Sequence, residues 1–335
     1  MALDSAKDLR FALWEVELLR NRELVDDIAD RTVELEVNFY EHGQANDFDL
    51  TLEDRDGRFS DPDAFRLGDE IRFWVWFADR PRTLMGVYQI DELRHSAPPS
   101  LMRVSGLAHE SVGEDLRTLK TRGFEGMSLH AIVRQIAAEH GLTPVIKGAD
   151  VPMQRTDQKE EHDLQFLTRL ASDYGHVVRI EGDELIFIRR EIADAAEPLL
   201  LDGLLRRRAF RHKTFKTYRR CKVRYFDPEK KEEIEVVEED PQIENTEELV
   251  ITQRAESREQ ATEIARSRLR GANRLAIEAE FECLGVPELK AGMNILVQGE
   301  GKAYDGIYHV PHARHRYSKS SGYTVELGVE RRRTT

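Results

Sequence analysis

Gly306-Ile307-Tyr308, with Arg314-His315 after it, repeats a pattern met earlier in the chain as Gly86-Val87-Tyr88 with Arg94-His95 after it. The match extends upstream. Arg66-Leu67-Gly68 leads into a strand entered at Ile71, and Lys290-Ala291-Gly292 leads into one entered at Ile295. Three residues separate glycine from isoleucine in both places, and eight and nine separate the second glycine from the Arg-His pair. An alternating acidic strand precedes each copy, ending near Glu53 and near Cys283. The spacers that differ, Glu53 to Arg66 and Ile71 to Gly86, fall at expected turns, where added length costs little. Two copies of one β-barrel or sandwich account for this pattern better than chance. Three chains built in this way present six similar surfaces, which lets a threefold protein meet a sixfold partner.

Working outward, both ends of the chain read as strands. Val33, Leu35, Val37 and Phe39 alternate with polar residues, as do Phe48, Leu50 and Leu52. Ile71, Phe73, Val75 and Phe77 line one face of a third strand, and the other face carries Arg72, Trp74 and Trp76. Two tryptophans imply that this second face is covered too. Residues 1–30 show only a weak strand pattern, around Phe11 to Leu19.

The middle changes period. Leu129, Ile132, Val133, Ile136 and Ala137 mark an amphipathic helix, with Ser128 as N-cap and Gly141 as stop. Leu164, Leu167, Leu170, Ala171 and Tyr174 mark a second helix that ends at Gly175. A hairpin turning at Glu181-Gly182-Asp183 follows, and the acidic stretch Glu191 to Glu197 reads as a linker. Beyond it, Cys221, Val223 and Tyr225 lead into a turn at Asp227-Pro228-Glu229-Lys230, and Ile234 and Val236 return. Val237 to Glu248 reads as a loop. A last helix has a capping box of Ser257 and Gln260, with Gly271 expected at its C-cap. The expected division is 1–109, 110–198 and 199–335.

The 335 residues carry 50 basic and 63 acidic side chains, a net charge of −13. That balance argues against general nucleic-acid binding. Trp74-Val75-Trp76-Phe77-Ala78 is too short an apolar run to span a bilayer, so no stable membrane insertion is expected. No charged start followed by an apolar core suggests a secretory signal, which points to synthesis in the cytoplasm. Cys221 and Cys283 form no disulfide framework and no CxxC zinc motif. Both lie among apolar strand residues, as inert buried thiols do.

Few motifs suggest chemistry. Asp54-Arg55-Asp56-Gly57 resembles a calcium loop only superficially, since loop positions five and twelve are Arg58 and Phe65; a hairpin turn is the simpler reading. His95 and His315 read as strand residues at equivalent places. There is no HExxH and no GxSxG. No acid stands out as one of a glycosidase pair. No catalytic residue, cofactor or metal is therefore assigned. The run Arg206 to Arg224 holds ten Lys or Arg and no acid, including Arg206, Arg207, Arg208, Arg211, Arg219 and Arg220. A phosphate stripe is one reading. The other is a strand whose basic face meets the acidic stretch Asp227 to Glu248, in this chain or a neighbour. Trp74, Trp76 and these arginines are the candidate interface residues.

Several segments resemble the phage late control gene D family. They are Glu161-His162-Asp163-Leu164-Gln165-Phe166-Leu167-Thr168-Arg169-Leu170-Ala171 with Tyr174-Gly175, Leu50 to Arg58, Leu289 to Gly292, Gly306 to Tyr317, and Gly322 to Leu327. Nearly the whole chain is covered, in order. The family comprises baseplate hub proteins of contractile tails and related injection machines, and is similar to the N-terminal part of VgrG-type spike proteins. The resemblance implies a β-rich α+β chain: two tube-protein-like β-barrel domains around a small α/β domain. It also implies a homotrimer in a virion tail or injection-particle baseplate, between the hexameric tail tube protein and a central spike, beside other baseplate proteins. VgrG-type chains continue into a β-helical spike and this sequence stops at Thr335, so a separate spike protein is expected. The competing expectations are a cell-wall hydrolase, or a polysaccharide-binding module using a LysM-like unit at 128–140.

Overall fold

The computed structural model describes residues 12–19, 28–41, 45–108, 118–201, 203–212, 216–227 and 231–332. In chain order the elements are β1 (Leu13–Leu19), α1 (Ile28–Arg31), β2 (Thr32–Tyr40), β3 (Asp47–Glu53), β4 (Glu70–Trp76), β5 (Thr83–Ser96) and β6 (Leu101–Ala108). Then come β7 (Lys120–Glu125), α2 (Leu129–Glu139), β8 (Thr143–Lys147), β9 (Arg155–Glu161), α3 (Asp163–Asp173), β10 (His176–Glu181), β11 (Glu184–Arg189) and α4 (Arg190–Asp194). The last part holds β12 (Leu199–Leu200), β13 (Leu205–Arg211), β14 (Arg220–Asp227), β15 (Glu232–Glu239), β16 (Glu248–Thr252), α5 (Arg258–Asn273), β17 (Leu275–Leu284), β18 (Asn294–Val297), β19 (Gly306–Ser318) and β20 (Gly322–Arg332). The protein is β-rich, with a large, mostly antiparallel sheet and few helices.

The chain divides into two compact units. The first gathers the described residues of 1–110, 197–211 and 278–330; the second gathers those of 111–196, 212–277 and 331–335. This differs from the expected third domain of 199–335. Its middle, 212–277, packs with 111–196 because α5 and the sheet of β14 share one apolar cluster with α2 and α3.

The first unit is a twelve-stranded sheet. Six strands run in the order β1-β4-β5-β6-β3-β2, and β2 then pairs with β19. The other six run β12-β18-β19-β20-β17-β13, so the halves share an order of neighbours, although β1 meets β4 antiparallel and β12 meets β18 parallel. Local bonds recur as well. Gly68 N–H donates to Ile90 O at 2.8 Å and Ile90 N–H to Asp69 O at 2.9 Å. Gly292 N–H donates to Val310 O at 2.7 Å and Val310 N–H to Met293 O at 2.9 Å. The repeated glycines Gly86 and Gly306 take φ of +155° and +147°, a region that side chains other than glycine avoid. The pairing of β2 with β3 slips between Thr32 and Glu34, and that of β13 with β17 between Leu205 and Arg207. Each half buries one tyrosine completely. Tyr88 meets Phe48 and Phe73; Tyr308 meets Phe281 and Phe210.

The weak pattern around Phe11 to Leu19 is a real strand. β1 pairs with β4, and its Val16 and Leu18 are buried. Residues 1–11 lie outside the described residues. Asp54 makes a turn, with its carboxylate buried and accepting from Phe59 N–H at 2.8 Å and from the Ser60 hydroxyl. This satisfies the acid within the loop.

The second unit has three small sheets, β10-β11-β8, β15-β14-β16 and β7-β9. Ser128 caps α2 by accepting from Ala131 N–H, and Gly141 follows it at φ +67°. Four local readings differ. The stretch 191–197 is not wholly a linker, since α4 buries Ala193 there. β15 extends to Glu239, and β16 begins at Glu248, so the loop between is shorter than expected. Gly271 lies within α5, which runs two residues further. There Asn273 is anchored through both amide atoms: Nδ2 donates to Tyr218 O and to Asp240, and Oδ1 accepts from Tyr218 N–H. Finally, Gln260 closes the capping box on Glu256 N–H at 2.6 Å, one residue before the Ser257 cap.

Candidate functional site

Trp74 and Trp76 point away from the core because β4 alternates, with Ile71, Phe73 and Val75 buried on the other face. Both rings are half-buried. The Arg82 guanidinium covers them, 4.8 Å from the Trp74 ring centroid and 5.3 Å from that of Trp76. Arg82 is held there by Glu15 at 2.6 Å and Glu17 at 3.3 Å on β1. Trp74 Nε1 is buried with no acceptor among the described residues, and Leu13, across from Trp76, is 44% exposed. Nothing in the local sequence marks Arg82. No local spacing links it to β1, which lies far away along the chain.

The basic run is divided between the two units. Arg206, Arg207, Arg208 and Arg211 belong to β13 in the first unit, and Arg219, Arg220, Lys222 and Arg224 belong to the second. Lys213 lies outside the described residues, as do Pro228, Glu229 and Lys230 of the expected turn. The second group meets the acidic stretch of its own chain. Arg220 reaches Glu239 at 2.7 Å, Lys222 reaches Glu235 at 3.1 Å and Glu248 at 3.3 Å, and Arg224 reaches Glu235 at 3.1 Å. Hydrogen bonds from Lys222 lead the effects that hold the Glu235 carboxyl below its ordinary range. Arg219 also donates to the backbone oxygens of Asp240 and Ile243. A face laced in this way offers few free cations to a phosphate backbone.

The first group is different. β13 is a terminal strand of the large sheet, with β17 on one side and no strand on the other among the described residues. Arg208 pairs with Glu300, while Arg206, Arg207 and Arg211 are exposed with no ion-pair partner among the described residues. Arg207 and Arg211 stand across the ladder from Glu282 and Glu278.

The densest polar cluster is in the second unit. Asp163, wholly buried, accepts from Lys120 Nζ at 2.6 Å, Arg122 at 2.8 Å, His140 Nε2 at 2.8 Å and Gln158 at 2.9 Å. Burial alone would raise its pKa; those hydrogen bonds and the Arg122 charge outweigh it and hold the carboxyl low. Glu139, His140 and Asp163 lie close enough to share a metal ion. Two cationic side chains already balance the carboxylates, however, so the cluster braces the unit. Cys221 and Cys283 are buried thiols, pushed up to about 11 and about 12 by desolvation, and so are poor nucleophiles. Among the described residues no helix is long and apolar enough to cross a membrane.

Known proteins add to this geometry. The family model described as phage tail baseplate hub (GPD) matches residues 115–321. A probable baseplate hub protein of Escherichia phage P2 is 26% identical over 176 residues, which is 51% of this chain and 44% of that protein. The match therefore spans less than half of this curated relative. The 43 kDa tail protein of prophage MuSo2 from Shewanella oneidensis shares the fold at a TM-score of 0.71 and 16% identity, over 95% of this chain and 98% of that one. An Escherichia coli component of the type VI secretion system, similar in structure to T4 bacteriophage tail proteins, matches at 0.60 and 13% identity. It covers 96% of this chain and 77% of that one.

Proposed function

The chain belongs to the phage tail baseplate hub (GPD) family, and from this membership we propose that it is a structural, non-enzymatic hub. In this reading it assembles as a homotrimer in the baseplate of a contractile tail or injection machine. One face meets the sixfold tail tube protein and the other a central spike protein. The observation that carries the reading is the doubled strand order of the first unit. A chain with the same order of six strands twice, read as two tube-protein-like barrels, supplies six similar faces from three copies. The half-covered Trp74 and Trp76 face and the exposed arginines of β13 are the proposed contact surfaces. The laced face of β14 adds charge pairing within the chain.

The direct test mixes the purified chain with the tail tube protein of the same tail and images the product end-on. Rings with six lobes, three chains to a ring and capped by tube protein, are expected. Failure of tube protein to join, at concentrations where it polymerises alone, overturns the adaptor role. The competing hydrolase reading predicts turnover of purified peptidoglycan, abolished by a single acidic substitution.

A further inference from the structure

Two histidines of the second unit meet in its interior. His130 lies in the first turn of α2 and His176 opens β10. They are 6% and 1% exposed, and their rings stand edge to face with centroids 6.2 Å apart. The Phe187 ring of β11 stacks on His176 at 4.6 Å. His176 Nδ1–H donates to Tyr174 O at 2.7 Å, which leaves a lone pair on Nε2. That Nε2 is buried with no hydrogen-bond partner among the described residues, and so is the Nε2 of His130.

Charged groups surround the pair. Asp150, which follows β8, lies 3.7 Å from His130 Nδ1, beyond hydrogen-bond reach, and its Oδ1 accepts from the backbone N–H of His130 and of Val151. Arg134 adds positive charge one turn along α2. Arg189 of β11 stands across the ladder from His176, held by Glu263 of α5 at 2.8 Å, and Glu191 of α4 also acts on His176. Burial is the largest influence on both imidazoles. It pushes His176 down to about 4 and lowers His130 from the ordinary 6.5, so both are neutral at neutral pH.

We propose that His130 and His176 form an acid-sensitive latch, which holds the start of α2 on β10 while both rings are neutral and releases it when they take up protons. An imidazolium has two N–H donors and needs two acceptors. Neither ring has an acceptor for Nε2, and a charge on one ring would face the other ring, with Arg189 beside His176. A protonated ring must therefore reach water. The α2 side gives way, because the Asp150 side chain next to His130 is 41% exposed, whereas His176 is stacked on Phe187 and tied to Tyr174 O. Opening breaks the bonds from His130 N–H to Asp150 and from Leu129 N–H to Val151 O. The opened form takes up protons at the ordinary pKa of about 6.5 and the closed form resists them. Closure is therefore strongest above about pH 6.5 and weakens as pH falls toward 4. Each proton taken up multiplies the opening constant about tenfold per pH unit, so two protons give up to about 100-fold.

Hydrogen exchange of the full chain from about pH 6.5 to about 4.5, corrected for intrinsic rates, reads the opening constant at the Ile132 and Val133 amides. Amides of β6 in the first unit report global unfolding. The α2 amides should open more readily than those of β6, with a slope that steepens toward about 100-fold per pH unit at the acid end. His130→Gln and His176→Gln, each with one imidazole of the pair left, should show about tenfold. An opening constant independent of pH overturns the latch, as does α2 exchanging only together with β6. A slope no steeper than about tenfold in the unaltered chain overturns it too, and that reading stands even where a variant fails to fold. The hub reading stands under either result, since it rests on other residues.

Discussion

The halves of the large sheet share strand order but not surroundings, and His95 and His315 show what the difference does. Both follow an arginine on equivalent strands. His95 is exposed and only touches Ser100 at 3.3 Å. His315 is 3% exposed, and both ring nitrogens are engaged: Nε2–H donates to Leu289 O at 2.6 Å, and the Tyr323 hydroxyl donates to Nδ1 at 2.7 Å. One pattern therefore yields a surface residue in one half and a core residue in the other, where Leu289, Tyr323 and the Phe39 ring of β2 close around the imidazole.

The strongest way to break the equivalence is through the buried tyrosines. Tyr88→Ala and Tyr308→Ala should each cost about 3–5 kcal/mol in urea unfolding, as large-to-small core changes do, and the two costs should agree within about 1 kcal/mol. A wide gap would mean the halves are packed by different rules.

Acid sharpens the contrast. Burial pushes the His315 imidazole down to about 4, from an ordinary 6.5. Between those values the unfolded chain takes up a proton that the folded chain refuses. This contribution is full above about pH 6.5 and is lost as pH falls toward 4, up to about 3 kcal/mol. His315→Gln should flatten the stability profile across that window, while His95→Gln should change unfolding free energy by no more than about 0.5 kcal/mol. His176, also pushed down to about 4 by burial, keeps some slope in both variants.

Gly86→Ala comes next. Its Cβ would lie 2.6 Å from the Tyr88 ring at a φ of +155°, a strain of about 1–3 kcal/mol. Gly57→Ala, also at positive φ but in open space, should cost less in the same unfolding experiment. The smallest effect belongs to Arg316, which ties β19 to Glu34 and Glu36 on β2 from a partly exposed position. Arg316→Ala should cost below about 1 kcal/mol, measured the same way.

Much of this was legible in the sequence. The Gly-Ile spacing and the Gly-x-Tyr pattern marked equivalent strand positions because both glycines of each copy hold backbone that other residues avoid. Ser128, Gly141 and Ser257 marked real helix ends, since a cap depends on residues within one turn. The domain division was harder to read. Residues 212–277 follow β13 directly, yet pack with α2 and α3, and no local period carries that information. The Trp74 and Trp76 face was visible, but its cover was not, because Arg82 and Glu15 meet only through the β1–β4 pairing. Of the two readings of the basic run, the pairing of its later residues with the acidic stretch was legible because the two lie close in sequence, whereas the passage of the chain from one unit to the other within the run was not. The Asp163 cluster is not legible locally for a similar reason: Lys120 and Arg122 come from β7, His140 from the end of α2 and Gln158 from β9.

The mass of the purified full chain in solution tests the central claim most directly, by native mass spectrometry across a concentration series. The account predicts a three-copy species, about three times 38.7 kDa or roughly 116 kDa, that gains mass in discrete steps when tail tube protein is added. A stable two-copy species, or a monomer that ignores the tube protein at every concentration, would contradict it.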